Sequence, residues 1–186
     1  MLPVNIPVSE FYKSQLHTQV MLPMHWSSVN DNAAQDFTQH NLAILNLWSS
    51  KTEVTSHHLD THEKQSADMA RVEQKLDLII NLFQQVLANQ SNNNLNLNTV
   101  LISVSGISWY IDDPQVQVDQ TLLIELSLDT SQLPIYLYSK VIKLDSIHDR
   151  TLCTASFNEQ NEQVHELMEK WIFNLHRREI ANLRQK

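Results

Sequence analysis

The hydrophobic period of this chain changes from helical to alternating near the polar run Ser91-Asn92-Asn93-Asn94, and that change bounds what the chain can fold into. Before it, Met69, Val72, Leu76, Ile79, Phe83 and Val86 follow one another at steps of 3, 4, 3, 4 and 3. After it, apolar residues recur at alternate positions. A helical part followed by a strand part predicts an α+β chain with segregated elements.

In the helical part, a long helix is predicted from near Ser56 to near Asn89, on the order of 50 Å at 1.5 Å per residue. The three-residue steps place Met69, Leu76 and Phe83 at heptad position a and Val72, Ile79 and Val86 at d. Leucine at a with β-branched residues at d favours tetramers. Ile80 and Leu87 at e, with Leu82 at g, widen the stripe. That width suits a four-helix bundle, or a helix that also packs on its own domain. The alternative is one amphipathic helix lying on its own core. The same register runs upstream through His58, His62 and Gln65. A shorter helix precedes it, with Asp31 or Asn32 as cap. Phe37, Ile44 and Trp48 form its stripe, widened by Ala34, Leu45 and Leu47.

In the strand part, Val100, Ile102 and Val104 and then Ile107, Trp109 and Ile111 read as two strands around a turn at Ser105-Gly106. Leu122, Ile124, Leu126 and Leu128 give a third. Ile135, Leu137, Val141, Ile142 and Leu144 give a fourth, long enough to bend. Residues 152–157 give a fifth. Five short strands with tight connections predict a small antiparallel barrel. A last helix follows Asn158, acidic at Glu159 and Glu162 and basic at Arg177, Arg178, Arg184 and Lys186, as the helix dipole prefers. Its apolar face holds Val164, Leu167, Met168, Trp171, Ile172 and Leu175. The domain reading is therefore an irregular segment over 1–30, a helical oligomerisation region over 31–90, and a barrel with terminal helix over 95–186. Within the first, the apolar stretch 20–26 is expected to dock on something.

Among 186 residues there is one glycine, Gly106. Phosphate-cradling loops need glycines for close backbone approach, so a P-loop, a dinucleotide fingerprint and a Gly-x-Ser-x-Gly elbow are all excluded. Turns must be made by Asn, Asp, Ser and Pro. A net charge of −8 argues against binding a nucleic-acid polymer. The single cysteine, Cys153, sits in an alternating apolar run and reads as a buried strand residue. His58 and His62 share a helix face, but no HExxH pattern accompanies them, and polar layers in a bundle explain them better than a metal. Asp112-Asp113 precedes Pro114 and reads as a turn, not an acid/base pair. No catalytic constellation emerges, and no cofactor or metal is expected. The N-terminus lacks a signal-peptide pattern and no apolar run reaches the ~18–20 residues of a membrane span, so a cytoplasmic protein is expected.

Two stretches resemble one family. Ser103, Gly106, Ile107 and Trp109 match the Asp/Asn-x-Ser-x-x-Gly turn of PilZ domains, with Leu101 where the Asp or Asn would stand. The terminal helix, with Trp171-Ile172-Phe173 and His176-Arg177-Arg178, is similar to that of the atypical, tetramer-forming PilZ proteins, and Lys75-Leu76-Asp77 fits the same group. The resemblance covers about 70–186. It implies a six-stranded antiparallel barrel and a bacterial signalling role. It also implies cyclic di-GMP as the candidate ligand, held in typical members by an Arg-x-x-x-Arg segment and the turn. Arginines suit that ligand because they clamp phosphates and stack on guanine. Here Arg71 and Lys75 have the four-residue offset but lie inside the heptad helix, as solvated flanks. Two readings follow. One is a non-enzymatic adaptor that self-assembles, as a tetramer, and meets a protein partner. The other is a cyclic di-GMP receptor using nonstandard residues, with Ser103, Gly106, Arg177 and Arg178 as the ligand-binding set.

Overall fold

The computed structural model describes residues 6–29, 35–57, 95–112, 115–128, 133–147, 149–158 and 160–183. Its strands are β1 (His17–Ser28), β2 (Asn96–Ser103), β3 (Gly106–Ile111), β4 (Thr121–Ser127), β5 (Pro134–Ile147) and β6 (Arg150–Phe157). Its helices are α1 (Thr38–His57) and α2 (Glu162–Leu183), with a 3-10 turn at Glu10–Tyr12. The strands close into an antiparallel barrel in the order β1-β2-β3-β6-β5-β4.

Alternation does what the sequence predicted. One face of the strands turns Val100, Ile102, Trp109, Ile124, Leu137 and Ala155 into the barrel, and their neighbours turn outward. Leu45 and Trp48 of α1 join that core, as do Val164, Met168, Trp171 and Ile172 of α2. The α2 positions recur at intervals of 4, 3 and 1, one stripe of a 3.6-residue helix. Cys153 is fully buried on β6. The bend expected in the fourth strand is a register shift between Val141 and Lys143 in the β5–β6 ladder. With a single glycine in the chain, aspartate takes the left-handed turn positions found among the described residues, Asp119 (φ 70) and Asp149 (φ 62).

Three expectations are corrected. The segment 1–30 is not irregular throughout, because β1 supplies a sixth barrel strand where five were expected. Pro23 disguises it by reading as a breaker, yet Leu22 and Met24 beside it are buried in period two. Pro23 lies where β1 passes from β2 to β4, since pairing with β4 begins at Met24 opposite Leu126. A missing N–H costs least at such a handover. The 20–26 stretch thus docks by becoming a barrel strand. Second, α1 begins at Thr38, with the Asp36 carboxylate accepting from the Thr38 amide at 2.9 Å. Phe37 therefore precedes the helix and stacks on Tyr136 at 4.6 Å instead of joining the helical stripe. Third, α1 runs unbroken to His57, past the point near Ser56 where the second helix was expected to start, and no Pro or Gly interrupts it. The heptad positions Met69, Val72, Leu76, Ile79, Phe83 and Val86, and His58 and His62, lie outside the described residues.

Candidate functional site

The β2–β3 hairpin carries the turn that the sequence singled out. Ser103 pairs with Gly106, and the two residues between them, Val104 and Ser105, make the bend. Ser103 is fully buried. Its hydroxyl donates to the Gly106 carbonyl at 3.3 Å and accepts from the Ser105 amide at 3.3 Å. The turn is also tied to β6, where the Phe157 amide donates to the Ser105 carbonyl at 2.8 Å and the Ser156 hydroxyl donates to it at 3.3 Å. Ser103 is thus occupied in shaping the turn.

Gly106 is needed for close approach, and the structure shows to what. A Cβ there would overlap the Ala155 carbonyl oxygen and lie 2.8 Å from the edge of the Phe11 ring. The φ of Gly106 is not positive. The space beside the glycine is therefore filled by the chain's own N-terminal segment.

That segment lies over the outward face of β2, β3 and β6. Ile6 and Tyr12 pack with Leu101 and Leu152 in a second, smaller core, flanked by Phe11, Tyr110 and Ile147. The Tyr12 hydroxyl donates to the Leu101 carbonyl at 3.2 Å and meets the Ser108 hydroxyl at 2.9 Å. Ser108 in turn meets Thr154 at 2.8 Å. With Tyr12 donating to Leu101, Ser108 can donate to Tyr12 and Thr154 to Ser108, which leaves this buried file satisfied. Burial raises the Tyr12 phenol well above its ordinary range and keeps it neutral. At the near edge, the Arg150 guanidinium sits 4.5 Å over the Tyr110 ring. Leu101 is buried beneath this segment at 2% exposure.

Arg177 and Arg178 are exposed on the final turns of α2, with Arg177 5.9 Å from the Phe173 ring. Next to them, Glu179 accepts from the Thr18 hydroxyl at 2.5 Å. Thr18 pairs with Ile102 and its neighbour His17 with Ser103. The contact brings the end of α2 to the same end of the barrel as the Ser103–Gly106 turn. Among the described residues, no hydrogen bond or ion pair joins either arginine to the turn. The sequence suggested Ser103, Gly106 and the two arginines but gave no hint of Phe11, Tyr12, Ser108 and Thr154, which define this face. Among the described residues no group of three His, Cys, Asp or Glu gathers to hold a metal. No helix there is long and apolar enough to cross a membrane.

Comparison with known proteins agrees with this geometry. The family described as "Atypical PilZ domain, cyclic di-GMP receptor" matches residues 52–185. A structure from Xanthomonas campestris, described as a tetrameric PilZ domain self-assembled via a helical bundle, shares the fold at a TM-score of 0.76 and 22% identity, covering 91% of this chain and 93% of that one. The Bacillus subtilis inhibitor of motility aligns more weakly, with a TM-score of 0.37 and 16% identity over 46% of this chain and 43% of that one. No curated protein matches the chain.

Proposed function

This chain belongs to the atypical PilZ domain family, and on that premise we propose that it is a non-enzymatic signalling adaptor that self-assembles through its heptad segment and presents its barrels to a protein partner. The observation that carries the reading is the covered turn. The face around Leu101, Ser103 and Gly106 is closed by Ile6, Phe11 and Tyr12 of the same chain. Ser103 is committed to the turn. A dinucleotide has no open approach to that face while the segment is seated.

The assembly part rests on the seam from Met69 to Val86. Support comes from the structural relative, whose description names a tetramer held by a helical bundle. The tetramer is the expected state because of the residue types at a and d.

One observation favours the second reading, a cyclic di-GMP receptor with nonstandard residues. The Thr18–Glu179 hydrogen bond places the arginine-bearing end of α2 at the end of the barrel that carries the turn. Titration calorimetry with cyclic di-GMP separates the two. The adaptor reading expects no heat of binding at micromolar protein. Micromolar binding that is lost in Arg177→Ala or Ser103→Ala would establish the receptor reading instead.

A further inference from the structure

A recess whose walls include no residue of the turn lies where the starts of α1 and α2 meet the outer side of β5. It is a cavity of about 260 Å³ walled by Asp36, Phe37, Tyr136, Tyr138, Gln160 and Asn161. Ligand pockets for drug-sized molecules run from about 300 to 1,000 Å³. This one is sized for a single side chain or a small fragment, not for a dinucleotide.

Two helix starts facing one cavity suggest an anion site at first. The caps argue otherwise. Asp36 already accepts from the Thr38 amide, and the Asn161 side chain accepts from the Gln163 amide at 3.0 Å. The helix-start amides are thus partly satisfied by the chain itself. Asp36 also brings a full negative charge to the wall, and its hydrogen bonds to Thr38 hold the carboxyl below the usual carboxylate range. Among the described residues, no Lys, Arg or His lines the cavity. An anion entering here would meet a carboxylate and no cation.

The other walls call for a planar cation with several donors. Phe37 and Tyr136 stack at 4.6 Å, and Tyr138 stands 5.9 Å from Phe37 at a tilt, so aromatic faces bound one side. The Oε1 atom of Gln160 is buried without a hydrogen-bond partner among the described residues and needs a donor. Asn41 holds the floor, pairing with Tyr136 through its Nδ2 to the carbonyl at 2.7 Å and its Oδ1 from the amide at 2.9 Å. The floor is therefore rigid. A guanidinium meets these demands together. It stacks on rings, forks onto a carboxylate and retains donors for an amide oxygen. A lysine ammonium offers the charge but not the plane.

We propose that this cavity is a docking pocket for the arginine side chain of a partner polypeptide, with Asp36 as its charge partner, the aromatic wall as its stacking surface and Gln160 as an added acceptor. The net charge of −8 on the chain favours approach by a basic partner. No residue of the β2–β3 turn lines the pocket, and the proposal holds whichever way the cyclic di-GMP titration falls.

The test is a titration of the full-length, isotope-labelled protein followed by NMR, with acetyl-arginine-amide as the probe and acetyl-citrulline-amide as its neutral isostere. Saturable shifts at Phe37, Tyr136, Gln160 and Asn161 are expected with the arginine probe and not with citrulline. Asp36→Asn should weaken the response at least tenfold. Asparagine caps a helix as well as aspartate does, so that variant removes the charge and keeps α1. The guanidinium is common to a chain residue and to free arginine, so free L-arginine forms a separate arm. Binding of the blocked probe at least as strong as that of free arginine assigns the pocket to a polypeptide. Binding confined to free arginine overturns the partner assignment. Equal responses to arginine and citrulline, an unchanged response in Asp36→Asn, or saturable shifts with sulfate at the same residues would each overturn the site itself.

Discussion

The Tyr12 hydroxyl donates to the carbonyl of Leu101 across 89 positions of sequence. The same oxygen meets Ser108, so one side chain fastens the N-terminal segment to both β2 and β3. Tyr12 is wholly buried. Tyr12→Phe keeps the ring and removes the hydroxyl, leaving the Leu101 carbonyl and Ser108 each short of one partner. Urea unfolding should show a loss of about 1–2 kcal/mol, the cost of leaving a buried polar group with fewer partners. Full wild-type stability in this variant would mean that the hydroxyl file does not hold the segment down.

Gly106 tests the same face from the other side. Gly106→Ala puts a methyl against the Ala155 carbonyl and the Phe11 ring. Overpacking of this kind typically costs about 1–3 kcal/mol. The ring can move and the strand backbone cannot. Adding Phe11→Ala should therefore recover part of the loss but not all of it. A double-mutant cycle reads that coupling directly, and strict additivity would place the strain on the β6 backbone alone.

The barrel strands β2 to β6 were legible because each turns an apolar set to the barrel interior, so the period-two pattern of Val100, Ile102, Ile107, Trp109 and their successors is written into the sequence. The last helix was legible for the corresponding reason at period 3.6. β1 was harder to read, since Pro23 carries the local signature of a break and only the pairing of β1 with both β2 and β4 accommodates it. The site was legible only in part. Ser103 and Gly106 stand out as a turn, but what they do depends on Phe11 and Tyr12, whose approach is a long-range event with no local signature. The same holds for Phe37, which reads as a helix residue until Tyr136 and Tyr138 are brought beside it.

Alkaline pH should destabilise the fold in two stages. Burial pushes the Cys153 thiol from an ordinary 9.0 up to about 12, and it raises the Tyr12 phenol from 10.0. Below pH 9 both groups are protonated in the folded and unfolded chains, and their full contribution is present. Above that, the unfolded chain releases the thiol proton while the folded chain keeps it, so stability falls as pH rises. The tyrosine adds to the fall above pH 10. Each group contributes at most about 1.4 kcal/mol per pH unit. Melting temperatures of wild type and Cys153→Ala, compared between pH 8 and 10, check this. The variant should lose less stability than wild type over that interval. Parallel curves would show that the thiol is not held protonated.

The oligomer prediction turns on the seam that lies between α1 and β2 in sequence. Leu76 takes position a and Ile79 position d, one step apart on the predicted stripe. In a bundle of several copies, Leu76→Glu with Ile79→Glu brings like charges together in an apolar layer, which the assembly cannot tolerate. The barrel core draws on other residues: Leu45 and Trp48 of α1, Val164, Met168, Trp171 and Ile172 of α2, and the inward faces of the strands. Light scattering on wild type should give about four times the chain mass of 21.6 kDa. The double variant should give a single chain mass with unchanged near-ultraviolet circular dichroism from Trp109 and Trp171. If the variant instead loses that tertiary signal, the stripe packs on its own domain, and the wide e and g positions Ile80, Leu87 and Leu82 are covered within one chain. If wild type is already a monomer at tens of micromolar, the heptad serves that single chain and the assembly part of the adaptor reading falls.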